Sequence, residues 1–406
     1  MEYGLKYGES IIQFNVEHEN ISVFKHIEPV SNINDRIFYS KLERYFNDKE
    51  IKNNKILIIV SDKTRLCGYN IYLPVLTEFL TNRLAGSIEF IIAYGTHKQQ
   101  TDEESINSYG TIYKQYKFHH HNCGKSKFVS KGISKRGTYI EINELIYKTD
   151  ILITFGAVSH HYFAGFGGGR KLLFPGLASK KSVYLNHSLF LDKKNNELHK
   201  KCFSGNIAGN PLAEDLKEIS DILPARYSIH GILNSMGEVC DLYIGDSYEE
   251  YTAVCKKYDL YYKYVEEELY ENVIASCGGF PKDINLIQAH KGIHNAAAFV
   301  KNGGNLLIFA ECRDGTGSET FLKYIEMGYE KAFAQLADNY AGNGGTALAM
   351  MEKTKRINIC MVTGLNDKTC SLINICKVDK TAINKLIRSY NGKTLIIDNA
   401  GMIIKG

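Results

Sequence analysis

Between Phe155 and Ser188 the chain reads FGAVSHHYFAGFGGGRKLLFPGLASKKSVYLNHS. This stretch holds a histidine pair, His160 and His161, a glycine run, Gly167–Gly169, then Arg170, Lys171 and a further histidine, His187. Consecutive glycines let a backbone approach a ligand closely, because no Cβ intervenes and positive φ is accessible. A lysine beside another cation has a lowered pKa and a more nucleophilic amine, and neutral imidazole is the commonest side-chain metal ligand. A close-approach loop, a covalent lysine and a metal ligand are therefore the chemistry on offer. Two familiar phosphate patterns do not fit. A P-loop needs Gly before its Lys and Ser or Thr after it, and those positions are Arg170 and Leu172. The dinucleotide pattern fails because Arg170 stands where its third glycine belongs.

The elements around these residues read as alternating strands and helices. Lys55–Val60 is a continuous apolar run, as buried parallel strands are, and it ends in Ser61-Asp62-Lys63-Thr64-Arg65. A helical pattern follows, with Leu73, Leu76, Phe79, Leu80 and Leu84 on one side. Ser87–Ala93 is the next strand and leads into Gly95-Thr96-His97; Thr101–Glu104 looks like a capped helix start. Ile11–Val16 reads as a first strand and Ile151–Phe155 as a central one. His119–His121 is expected to be an exposed turn, since consecutive histidines cannot all face one metal from regular structure. Helices are expected over Pro211–Leu223 and Tyr258–Leu269. A second set begins at Asn272–Ser276, followed by a helix capped by Asp283, carrying Gln288 and Lys291 and stopping at Gly303-Gly304. Strands at Asn305–Ala310, Ile357–Val362, Leu372–Val378 and Thr394–Asp398 complete it.

This pattern implies an α/β protein of two domains with mostly parallel sheets and an active-site cleft between them. The division is expected near residue 270: residues 1–270 carry the histidine and lysine motifs, 271–406 contribute Gln288 and Lys291, and the last strand is free to return to the first domain. Asp62, His97, His161 and the Cys277–Gly279 turn all fall just past the C-terminal ends of predicted strands, the edge where open parallel sheets bind ligands.

Composition bounds the class. The 406 residues are 44% hydrophobic with a formal net charge of +4 and no basic run, which argues against nucleic-acid binding while allowing small anionic substrates. No apolar stretch approaches the roughly 20 residues a membrane span needs, and MEYGLKYGES does not read as a signal peptide. The 10 cysteines are scattered without a C-x-x-C pair, as reduced thiols of a cytoplasmic protein would be.

Five segments together resemble the nickel-dependent lactate racemase family and span most of the chain. They are Ser61-Asp62-Lys63-Thr64-Arg65, Gly95-Thr96-His97, His161 with the loop to Lys171, Asn186-His187-Ser188, and Gln288-x-x-Lys291. The resemblance implies a nickel pincer nucleotide as cofactor, a pyridinium bisthiocarboxylic acid mononucleotide joined covalently to Lys171. His187 is then the protein's nickel ligand, with Asp62, Lys63, Thr64 and Arg65 as further cofactor contacts. It also implies His97 and His161 as catalytic acid–bases and Arg65, Gln288 and Lys291 as substrate contacts. His161 is chosen over His160 because the family histidine lies ten positions before the lysine. The implied reaction is racemisation or epimerisation of a 2-hydroxy acid, lactate or a relative, by proton-coupled hydride transfer. Cofactor-synthesis proteins are the implied maturation partners. Other hydride-transfer chemistry with the same cofactor, or nucleotide binding without turnover, are the alternative readings. Two departures bear on substrate identity: Arg65-Leu66-Cys67-Gly68 replaces the family's R-P-x-P, and Ile287 stands where a family lactate enzyme carries tyrosine.

Overall fold

The computed structural model describes residues 1–17, 20–224 and 226–406. Two six-stranded sheets organise them. The first runs in the order Val239–Gly245, Tyr227–Leu233, Ile151–Ala157, Lys55–Ser61, Ser87–Ala93, Lys117–His120, and its strands are parallel except Val239–Gly245. The second, ordered Cys376–Lys377, Asn358–Val362, Val300–Phe309, Tyr270–Ser276, Thr394–Ile397, Ile21–Phe24, is parallel throughout.

Alternation along a strand decides which side each residue serves. Leu57 and Ile59 enter the large core that continues into the second sheet's Val273, Ala275, Leu306 and Ile308. Ile56, Ile58 and Val60 face the opposite side, against Phe38 and Leu42 of helix Asp35–Tyr45 and Leu73 and Leu76 of helix Tyr69–Asn82. Burial on both faces is why this strand is an unbroken apolar run. The two sheets thus share one core, and the domains pack along it.

Several sequence expectations need correction. Residues 1–270 do not form one unit. Ile21–Phe24 pairs in parallel with Thr394–Ile397, so the chain opens in the second sheet and then crosses to the first. The strand expected at Ile11–Val16 spans Ser10–Asn15, in an antiparallel hairpin with Glu2–Tyr7 whose Leu5 and Phe14 pack on the outer face of the second sheet. Thr394–Ile397 stays in the second sheet. The helix expected at Tyr258–Leu269 runs from Tyr248 to Tyr262, because Ser247 and Glu250 form a capping box at its start. Asp283 caps nothing: its buried carboxylate accepts from the amides of Gly8 (2.8 Å) and Glu311 (3.1 Å), and Asn285 caps helix Leu286–Ala297. That helix ends well before Gly303-Gly304, which lie within a strand. In place of a strand over Leu372–Val378, Asn366 caps helix Asp367–Leu372 and only Cys376–Lys377 pairs.

The histidine triplet is not an exposed turn either. His119 and His120 lie on the edge strand, His119 against Glu89 (2.6 Å) and His120 against the Tyr94 hydroxyl (2.9 Å). His121 is buried against the Ala178 carbonyl, and burial lowers its pKa to about 4. Among the described residues no helix is long and apolar enough to cross a membrane.

Candidate active site

Three neighbouring strands of the first sheet end at one cavity of about 90 Å³. Lys55–Ser61 delivers Asp62 and Arg65, Ser87–Ala93 delivers Tyr94 to His97, and Ile151–Ala157 leads to His161 and the glycine loop. Lys171 and His187 close the ring. All three strands are parallel, so their carboxyl ends converge as the sheet rule requires.

Each turn is held in place by its own residues. The Ser61 amide donates to the Tyr69 hydroxyl (2.9 Å), and that hydroxyl donates to the Phe155 carbonyl (2.7 Å), tying two strand ends together. The Ser61 hydroxyl bonds the Arg65 carbonyl and so closes the turn that carries Asp62. The Gly95 amide donates to the Gly176 carbonyl (2.9 Å), locking the His97 turn to the end of the lysine segment. In the glycine run, Gly168 has φ +74°, and a Cβ there would sit 2.4 Å from the Ala157 carbonyl oxygen. Gly168→Ala is therefore expected to cost about 1–3 kcal/mol of stability, measured by urea unfolding; an unchanged midpoint would contradict this account of the loop.

Asp62 and His97 form a pair that sequence reading did not identify. His97 Nδ1 lies 2.6 Å from Asp62 Oδ2, while Asp62 Oδ1 accepts from the Thr64 amide (2.9 Å) and hydroxyl (2.5 Å). Burial alone would raise the Asp62 pKa. The hydrogen bond and charge of His97, with Arg65 nearby, outweigh it and hold the carboxyl well below its usual range. An ionised Asp62 accepts the Nδ1 proton and so leaves His97 Nε2 as the basic nitrogen. The available signal was positional: both residues follow adjacent parallel strands.

The remaining groups sit in a different field. His161 has its Nδ1 3.3 Å from the Ala164 amide. Burial, then the charges of Lys171, Arg65 and Lys291, keep its pKa far below the ordinary value, so the ring is neutral. Burial also lowers His187 to about 3, with Lys171 and Arg65 adding to it. His187 makes edge contact with Phe163, at 5.1 Å between centroids. Lys171 is buried, and burial, Arg65, Arg170 and Lys291 push its pKa well below a free lysine's. The cavity thus presents an amine whose protonation burial and neighbouring cations disfavour, two uncharged imidazoles, and Arg65 in the same wall. A soft metal centre would find an unprotonated imidazole here, and an electrophilic carbon a buried amine.

Other expected residues lie elsewhere. Lys63 and Thr64, expected as cofactor contacts, do not line the cavity: the Lys63 ammonium pairs with Glu104 at the surface, and Thr64 serves Asp62. Gln288 and Lys291 come from the second domain, one helical turn apart, with Lys291 Nζ donating to Gln288 Oε1 (2.7 Å). They are not in the cavity wall, yet the Lys291 charge reaches Lys171, His161 and Asp62. His160 turns away, held by Asp259 (2.8 Å) and the Met402 carbonyl (3.2 Å). A wider depression of about 770 Å³ at the edge of the second sheet, bordered by Cys360, Asp367, Cys376 and Lys377, holds none of the residues singled out by sequence.

Comparison with known proteins gives consistent results. The family model described as the lactate racemase N-terminal domain matches residues 7–199, and that described as the lactate racemase C-terminal domain matches residues 265–345. The lactate racemase of Thermoanaerobacterium thermosaccharolyticum is 27% identical over 342 residues, covering 79% of this chain and 77% of that protein. The lactate racemase of Lactiplantibacillus plantarum is 29% identical over 324 residues, covering 77% and 72%. The solved structure of the T. thermosaccharolyticum lactate racemase apoprotein superposes with a TM-score of 0.88 at 24% identity over the whole of both chains. A Thermotoga maritima protein of known structure superposes with a TM-score of 0.71 at 17% identity, over 94% of this chain and 100% of that one. At these identities the superpositions establish the shared fold.

Proposed function

Because the chain belongs to the lactate racemase family, we propose that it is a racemase or epimerase of a 2-hydroxy acid, lactate or a relative of it. The reaction is proton-coupled hydride transfer with a nickel pincer nucleotide held at Lys171 and His187. The observation that carries this reading is the convergence of His97, His161, Lys171 and His187 on one cavity.

The residues fit such a group. A buried amine at Lys171 with its pKa pushed down suits covalent attachment, and an uncharged imidazole at His187 suits nickel. The glycine loop gives close backbone approach, and Arg65 is the cation for a phosphate or carboxylate. When bound, the nickel pincer nucleotide supplies a carbon able to take a hydride from the substrate and give it back.

The chain's own residues do the rest. Removing the hydrogen on C2 as a proton is hard beside a carboxylate, so the protein's acid–base work is confined to the hydroxyl. His97 Nε2 takes the hydroxyl proton of one enantiomer, and Asp62 stabilises the imidazolium that forms. His161 does the same for the mirror-image substrate from among cations, which disfavour its imidazolium. Each ring gives a proton only to the enantiomer it serves as the planar 2-keto acid is reduced on that face, so inversion requires the ring that took the hydroxyl proton to release it to solvent and the other ring to take one up. Arg65 and Lys291 hold the carboxylate, with Gln288 positioning the ammonium of Lys291. The chain's ten free thiols suit a reducing, cytoplasmic setting.

Lys291 gives this site a pH dependence. Burial, with Arg65 beside it and Asp62 opposing, lowers its pKa to about 8. It is a cation below that value and neutral above it. KM for a 2-hydroxy acid is therefore expected to rise as pH passes through about 8, approaching roughly tenfold per pH unit. Lys291→Met should give a uniformly high KM without that rise; a wild-type KM flat up to about pH 10 would remove Lys291 from substrate binding.

The test of the proposed activity uses protein co-expressed with its maturation partners and offered single enantiomers from a panel of 2-hydroxy acids. Formation of the opposite enantiomer of at least one is the expected result. Net production of the keto acid without inversion would point to another hydride-transfer reaction, and no conversion of any to a binding protein.

A further inference from the structure

Behind the glycine loop lies a second cavity of about 250 Å³ that shares no wall residue with the first. Arg170, the residue before Lys171, forms its inner wall. Arg170 is only 4% exposed, and its Nε, Nη1 and Nη2 all lack a hydrogen-bond partner among the described residues. Its charge rests on the rings of Tyr248 and Tyr251, at 5.1 and 5.3 Å. Ring faces stabilise the cation but offer no lone pairs for its five N–H donors. A buried guanidinium left this way is costly unless something else supplies acceptors.

The surrounding groups point the same way. Arg226 lines the same cavity; Nη2 donates to the Ser220 hydroxyl and Nη1 to the Ser220 carbonyl (3.4 Å), while Nε has no partner. His230 is buried with an unpartnered Nδ1. The N-terminus of the 15-residue helix Tyr248–Tyr262 opens onto the cavity through Ser247 and Tyr248, adding its positive dipole end. Two carboxylates stand in the wall, Asp221 and Asp246, but each has a cation of its own: Lys217 at 2.7 Å and Lys49 at 3.9 Å. Among the described residues neither arginine has a carboxylate within ion-pair distance. Two guanidinium groups, a neutral imidazole and a helix N-terminus therefore face one space, and although the charge of Asp221 reaches Arg226, no carboxylate among the described residues pairs directly with either arginine.

We propose that this cavity is an oxyanion site for a phosphate group, carried either by inorganic phosphate or by a small phosphate monoester. The planar N–H edge of Arg170 matches phosphate oxygens bidentately, the unpartnered Nε of Arg226 adds a further donor, and Ser228 borders the same space. The site lies one residue along the chain from Lys171, so its occupant steadies the turn that carries the lysine.

Titration calorimetry of the full chain with inorganic phosphate, and separately with glycerol phosphate, tests this. Because Arg65 and Lys291 also attract anions, Arg65→Gln serves as the reference. It should keep the binding, whereas Arg170→Gln and Arg226→Gln should each weaken it roughly ten- to hundred-fold. If Arg170→Gln loses its folded circular dichroism, Arg226→Gln alone decides, since that side chain closes the cavity from the other wall. Binding of inorganic phosphate identifies a free anion, and binding of the monoester alone a phosphorylated ligand. Absence of binding by both, or binding lost in Arg65→Gln and kept in Arg226→Gln, overturns the proposal.

Discussion

Lys171→Ala is expected to leave the protein without covalently attached cofactor and without activity. Lys171 is a buried amine whose protonation is disfavoured by burial, Arg65, Arg170 and Lys291, so its lone pair is more available than a free lysine's. Among the described residues no other lysine lines the cavity. Lys171→Arg should fail as completely, because a guanidinium stays protonated and is not a nucleophile. Intact-protein mass of co-expressed wild type should show the added mass of the cofactor, and both variants should run at the mass of the bare chain. His187→Ala separates anchoring from metal retention: it should keep the added organic mass and lose nickel by metal analysis. Undiminished nickel in both Lys171→Ala and His187→Ala would refute the anchoring scheme.

The second large effect falls on the histidine pair. His97→Ala and His161→Ala should each slow interconversion by roughly 10²–10⁴-fold, the usual worth of a positioned acid–base group. Neither variant loses every partial step. With one imidazole gone, the other still serves the enantiomer it faces, so single-turnover mixing should yield keto acid from one enantiomer in each variant, and from opposite enantiomers in the two. Asp62→Asn should resemble His97→Ala, because an amide can present its N–H to Nδ1 and so favour the tautomer with the proton on Nε2. His160→Ala should retain most of the activity, since that ring bonds Asp259 and a backbone carbonyl away from the cavity. Dead His160→Ala beside active His161→Ala would shift the assignment by one residue.

The parts of the site legible in the sequence were those that follow strand ends. Asp62, His97 and His161 could be placed on one sheet edge because Lys55–Ser61, Ser87–Ala93 and Ile151–Ala157 are short, mostly apolar runs, and parallel connections carry their ends to the same side. What sequence could not give was pairing at long range. Nothing local to Ile21–Phe24 says that its partner is Thr394–Ile397, some 370 residues on, so sequence alone does not reveal that strand or the division of residues 1–270 between the two sheets. The His97–Asp62 bond was missed for the same reason, as it joins turns 35 residues apart. Lys63 and Thr64 were drawn in by adjacency to Asp62, but side chains around a tight turn diverge, and theirs leave the cavity for Glu104 and for Asp62 itself. The helix misplaced at Tyr258–Leu269 turned on a cap: Ser247 and Glu250 fix its start ten residues upstream.

The central claim is that the protein's histidines move only hydroxyl protons while the hydrogen on C2 travels as hydride and never mixes with solvent. Proton NMR of racemisation in D₂O, followed in loaded protein to a small extent of conversion, tests it directly. The account predicts that the newly formed enantiomer carries protium at C2. Deuterium at C2 in every molecule of new enantiomer would contradict it, and would make His97 and His161 carbon acid–bases instead.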